Sequence, residues 1–134
     1  MKVSAYMSDN ITCVDASDSI VKAAAIMKEK NVGAVPVEKD NKLVGMLTDR
    51  DITLRAVAEN KSNLTCGEVM TTEVKSISKE DDIDKVVDYM SKYQIRRVPV
   101  TDNGKVIGMV SIGDLTDSEM SDELIGEVVT NVSK

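Results

Sequence analysis

The sequence predicts an α/β (α+β) chain: two β-α-β-β-α repeats packed about a pseudo-two-fold axis, followed by a C-terminal helix. Two observations lead there. The octet "GMLTDRDI" at Gly45–Ile52 recurs as "GMVSIGDL" at Gly108–Leu115, with Gly-Met, a hydroxyl residue and an Asp in step. Sliding the chain by that same interval aligns Met7–Ile52 with Met70–Leu115 without a gap, and Asp18/Asp81, Met27/Met90, Val35/Val98, Pro36/Pro99 and Asp51/Asp114 are among the identical pairs. Internal repetition of this kind means one supersecondary unit used twice, since neither copy buries enough apolar surface alone. The boundaries read as 1–64 for the first repeat, 65–118 for the second and 119–134 for an acidic helical tail.

Each element is justified in both copies. A short apolar alternation, Ile11 and Val14 or Val74 and Ile77, predicts a strand. Ile20, Ala23, Ala24 and Met27, matched by Ile83, Val86, Val87 and Met90, stand at the i, i+3, i+4, i+7 spacing of one helical face. "AVPV" and "RVPV" are extended because the residue before proline avoids the α region. The turns "EKDNK" and "TDNGK" lead into "LVGML" and "VIGMV", apolar on both faces and so expected as buried strands. A second helix opens after each octet. Beyond Leu115 the repeat fails, and Leu124, Ile125, Val128, Val129 and Val132 make a helical stripe with acids opposite. That stripe reads as a terminal helix on the body, or as one joining a second subunit.

Composition excludes several classes of function. With no His, imidazole acid–base chemistry and His-containing zinc sites are impossible in this chain alone. A net charge of −6 argues against non-specific binding to nucleic acid, which draws its affinity from phosphate neutralisation. Apolar runs are too short to span a membrane, and "MKVSAYMSDN" lacks the apolar stretch of a secretory signal, so a cytoplasmic protein is expected. Cys13 and Cys66 sit in no metal-type spacing and read as two buried free thiols. The acidic run Glu80, Asp81, Asp82, Asp84 lacks the calcium-loop pattern, and no metal site is expected.

The octets admit two readings. Thr48 with Asp51, and Ser111 with Asp114, fit a capping box, in which hydroxyl and carboxylate satisfy the free N–H groups of a helix start. "DASD" at Asp15–Asp18 and "SKED" at Ser78–Asp81 carry the same spacing before the other helices, so as isolated patterns all four read as caps. The octets differ in their preceding glycine, since Gly in a strand often marks close approach by a ligand or another backbone. Arg96 and Arg97 also stand where the first copy has Gly33 and Ala34. A guanidinium pair suits phosphate. A carboxylate accepts from ribose hydroxyls, a helix N-terminus with a Ser or Thr hydroxyl suits phosphate, and Val, Ile and Pro can sandwich a base.

With these motifs in hand, residues 7–115 resemble a tandem pair of cystathionine β-synthase (CBS) domains, a Bateman module, and the tail is similar to those of small stand-alone bacterial CBS-pair proteins. The resemblance implies a non-enzymatic regulatory module binding an adenine nucleotide (AMP, ADP or ATP, or S-adenosylmethionine) in clefts between the repeats, with no other cofactor. It implies that Asp51 and Thr48 face Arg96, Arg97, Val98 and Pro99, and that Asp114 and Ser111 face Ala34, Val35 and Pro36, with Thr12 and Cys13 near the base. It also implies a homodimer and a regulated protein partner, without nucleic acid or membrane. The alternative is a structural or partner-binding scaffold whose octets only cap helices.

Overall fold

The computed structural model describes residues 1–116. The first repeat runs β1 (Val14–Asp15), α1 (Ile20–Lys30), β2 (Ala34–Lys39), β3 (Lys42–Thr48) and α2 (Asp49–Ile52), whose chain continues as a π-helical stretch, Thr53–Val57. A short α3 (Cys66–Val69) follows. The second repeat runs β4 (Ile77–Ser78), α4 (Ile83–Tyr93), β5 (Arg97–Asp102), β6 (Lys105–Ser111) and α5 (Ile112–Thr116). The predicted order is therefore present twice. The C-terminal helix expected over 119–134 lies outside the described residues.

Local chemistry explains the boundaries. α1 and α4 start after Ser19 and Asp82, whose side chains accept from Val21 N–H and Asp84 N–H. Both end on a left-handed residue, Asn31 (φ 54°) or Gln94 (φ 55°), whose N–H returns to Met27 or Met90. The β2–β3 turn places Asp40 and Asn41 at φ 53° and 62°, and the β5–β6 turn places Asn103 and Gly104 at 53° and 85°. Two successive positive φ values make the two-residue hairpin turn whose twist matches the strands.

"DASD" and "SKED" correct the expectation that they cap helices. Asp18 accepts from Asp15 N–H at 2.8 Å and Asp81 from Ser78 N–H at 3.0 Å, closing a turn before each helix. The caps themselves are the next residues along, Ser19 and Asp82.

The chain divides into two compact units. One holds Thr12–Val74 with Asn103–Val106. Its sheet, ordered β1-β2-β3, pairs β1 parallel to β2 (Val14 opposite Val37) and β2 antiparallel to β3 (Ala34 opposite Thr48), with a bulge at Val37/Glu38. Val14, Ile20, Ala23, Met27, Val35, Val37 and Leu47 form its core with Ala56, Cys66 and Val69. The Glu38 carboxylate accepts from Val106 N–H at 3.2 Å.

The other unit holds Met1–Ile11, Lys75–Asp102 and, among the described residues, 107–116. Its sheet is ordered β4-β5-β6, with Ile77 opposite Val100. Ile83, Val86, Val87 and Met90 of α4 bury against Val98, Val100 and Val110, and Val3 and Leu115 complete the core. Burial along β6 alternates, with Ile107 and Met109 half-buried between buried Val106, Gly108 and Val110. The expectation of a strand buried on both faces is therefore too strong for this outer strand.

The repeat also begins earlier than identity suggests. Met1–Tyr6 is the counterpart of Leu64–Val69. Ile20 N–H donates to Leu64 C=O, as Ile83 N–H donates to Met1 C=O. Val3 and Cys66 are both fully buried. Each opening segment thus completes the core of the unit built on the other repeat's helix and strands.

Candidate functional site

In the unit built on α1, the first octet ends β3 and starts α2. Thr48 Oγ1 accepts from Asp51 N–H at 3.0 Å, and Asp51 Oδ2 accepts from Thr48 N–H at 3.1 Å, a complete capping box. The Asp51 carboxylate has further company. The Thr71 hydroxyl lies 3.2 Å from Oδ1 and 3.3 Å from Oδ2, and Arg55 Nη1 stands 3.8 Å from Oδ1. The Arg55 guanidinium also donates to the carbonyls of Val69 and Met70, each at 3.0 Å. The Asp51 side chain keeps 12% exposure.

Gly45 is explained by backbone rather than by a ligand. Met46 and Thr71 exchange N–H and C=O bonds at 2.8–2.9 Å, and a Cβ on Gly45 would lie 2.5 Å from Met70 Sδ and 2.7 Å from Thr71 O. Gly108 repeats this in its own unit, where a Cβ would meet Met7 Sδ at 2.6 Å and Ser8 O at 2.9 Å. Of the two causes for a strand glycine, another backbone is the one present.

Thr12, Cys13, Ala34, Val35 and Pro36, which the resemblance assigns to the second octet, belong to this unit. Ala34 pairs with Thr48 across the sheet, and Asp49 N–H donates to Gly33 C=O at 3.0 Å. Val35 and Pro36 are buried, whereas Ala34, Thr12 and Cys13 are half-buried. Burial, reinforced by the Glu38 carboxylate, pushes the Cys13 thiol up to about 12, with Lys105 opposing. Both cysteines are free thiols; Cys66 is buried, while Cys13 is more exposed than expected.

In the unit built on α4, Asp114 accepts from Ser111 N–H at 2.8 Å and Ser111 Oγ from Asp114 N–H at 3.2 Å. Ile112 N–H donates to Arg96 C=O at 2.8 Å, which sets the arginine strand beside this octet. Arg96 and Arg97 are exposed, and the ion pairs among the described residues use other cations. Val98 and Pro99 are buried.

Sequence reasoning missed Thr71 and Arg55. Thr71 lies inside the aligned stretch, opposite Ser8, but nothing in its sequence neighbourhood announces a carboxylate partner. Arg55 reads in sequence as one more exposed helical cation; the Asp51/Arg55 spacing of i, i+4 was the available signal. Among the described residues, no group of three or more His, Cys, Asp or Glu is placed to hold a metal ion, and no helix is long and apolar enough to cross a membrane.

Two copies of one unit, each closing a strand with a Ser/Thr–Asp box, define a tandem-repeat module. Comparison with known proteins names its family. The CBS domain model matches residues 3–57 and 66–121, and the chain belongs to the CBS domain family. It is 40% identical over 128 residues to the CBS domain-containing protein YhcV of Bacillus subtilis, covering 95% of this chain and 91% of that one. It is 32% identical to hypoxic response protein 1 of Mycobacterium tuberculosis, over 81% of this chain and 78% of that one. A crystal structure of hypoxic response protein I with two coordinated zinc ions superposes with a TM-score of 0.78 at 30% identity, covering 87% and 97% of the two chains. The CBS domain pair of protein MJ0100, solved in complex with 5′-methylthioadenosine and S-adenosyl-L-methionine, gives a TM-score of 0.75 at 34% identity, covering 87% and 93%.

Proposed function

We propose that this CBS pair is a non-enzymatic sensor that binds an adenine nucleotide of the AMP, ADP or ATP class and passes its occupancy to a regulated protein. The observation that carries the reading is the MJ0100 pair, which is 34% identical and was solved with two adenosine derivatives. The chemistry of this chain supports it. Asp51 and Asp114 are carboxylates held in place by their own octets, and each has acceptor capacity beyond the one amide bond of its capping box. In the proposal they take the ribose hydroxyls, with Thr48 and Ser111 beside them and Thr12 and Cys13 near the base. Arg96 and Arg97 are exposed cations suited to phosphate. The pairing of Asp51 with Arg96 and Arg97, and of Asp114 with Ala34 and Val35, belongs to this proposal. So do a homodimeric state and a cytoplasmic location.

A thermal-shift panel with AMP, ADP, ATP, GTP and S-adenosylmethionine tests the ligand class. Ligand at about one hundred times its dissociation constant adds roughly 2.7 kcal/mol, a rise of about 10 °C for a chain this size. A double-mutant cycle between Asp51→Asn and Arg97→Gln, read as AMP affinity, tests the pairing. Ligand contacts made in one shared site need not be additive, whereas separate sites give additive losses.

The complete capping box favours a second reading, a scaffold in which the octets serve the fold alone. That reading predicts no nucleotide-dependent melting shift and a loss of about 1 kcal/mol of stability on removing a cap.

A further inference from the structure

We infer that Thr71 is a positioning residue that competes with ligand for Asp51, so that a ligand engaging this carboxylate releases the segment Val69–Thr71 from the edge of β3. The inference rests on the nucleotide reading above and deepens it. Every contact involved lies within one compact unit.

The Thr71 hydroxyl sits against both oxygens of Asp51, at 3.2 and 3.3 Å. A ribose diol would approach as a pair of donors seeking those same two oxygens. A carboxylate offers about four acceptor directions, and Thr48 N–H already fills one on Oδ2. A ligand diol and the Thr71 hydroxyl therefore contend for what is left.

Thr71 is tied to a larger element. Its backbone exchanges two bonds with Met46, and the absence of a side chain at Gly45 is what lets Met70 and Thr71 lie this close. Arg55 adds a second tie through the carbonyls of Val69 and Met70 while standing 3.8 Å from Asp51. The π-helical winding of Thr53–Val57 immediately follows the octet, and Ala58 N–H reaches Thr53 C=O five residues back. Such π segments are frequent at functional sites. Asp51 is thus the common anchor of a hydroxyl and a guanidinium that both hold the chain leading out of the first repeat. A ligand that takes Asp51 weakens both at once. In the free protein, the fraction of molecules with Asp51 already engaged by Thr71 lowers the apparent ligand affinity by that fraction.

The test pairs AMP titration with amide exchange on the full chain. Thr71→Val removes the hydroxyl and keeps the backbone bridge; it should tighten AMP binding by about fivefold or more, and Thr71→Ser should bind like the wild type. AMP should speed exchange of amides 69–74 in the wild type. Weaker AMP binding by Thr71→Val would make Thr71 a direct ligand contact, and unchanged binding would make it a bystander. Either result overturns the inference and leaves the nucleotide reading standing, as does slower or unchanged exchange at 69–74. A wild type that binds none of AMP, ADP, ATP and S-adenosylmethionine overturns the nucleotide reading and this inference together.

Discussion

Two kinds of side-chain position carry predictions of their own. Gly45 and Gly108 stand where a Cβ would press on a methionine sulfur and a backbone carbonyl. The methionines can yield, but Thr71 O and Ser8 O are held in bridges, so Gly45→Ala and Gly108→Ala should each cost about 1–3 kcal/mol in chemical denaturation. Cys13 is protected chemically as well as sterically. With its pKa raised from 9.0 to about 12, chiefly by burial and then by Glu38, the folded thiol stays protonated where an unfolded one ionises. Between about pH 9 and 12 the native state therefore binds more protons than the unfolded state, and stability falls as pH rises through that window. Cys13→Ala should flatten that part of a pH-dependent melting curve. Alkylation of Cys13 at pH 8 should be slow until denaturant is added.

At the level of elements, short polar motifs decide where helices begin. Thr65 and Glu68 form a further capping box at α3, and Thr65→Ala should lower stability by about 1 kcal/mol. Glu68 is held below its ordinary value first by the Thr65 amide and then by the Thr65 hydroxyl. A depressed carboxylate contributes above its unfolded pKa and loses that contribution as pH falls through the folded one. Replacing Glu68 by Gln should therefore reduce the loss of melting temperature on acidification below about pH 4.5. Helix faces, hairpin turns and octet caps were legible in sequence because each rests on neighbours a few residues apart. The Asn31 and Gln94 ends were not, since both require a left-handed backbone that neither residue type demands. Nor was the opening segment, because Met1–Tyr6 and Leu64–Val69 share burial and hydrogen bonding without sharing a single letter.

For the whole molecule, the duplicated pattern specified two copies of one β-α-β-β-α unit, and the CBS domain model likewise matches the chain twice, over residues 3–57 and 66–121. Core truncation should act accordingly: Leu47 is fully buried, and Leu47→Ala should cost about 2–5 kcal/mol in denaturant unfolding. The site was only half legible. Thr48, Asp51, Ser111 and Asp114 announce themselves through their spacing, while Thr71 reaches Asp51 through the fold, from 20 residues away, and Arg55 meets it locally at i+4. The central claim is that octet carboxylates serve a ligand as well as a helix start. Isothermal titration of AMP into the wild type, Asp51→Asn and Asp114→Asn, each first shown to be folded, tests it most directly. The account predicts saturable binding by the wild type and a loss of about tenfold or more in at least one variant; binding of equal strength in all three would contradict it.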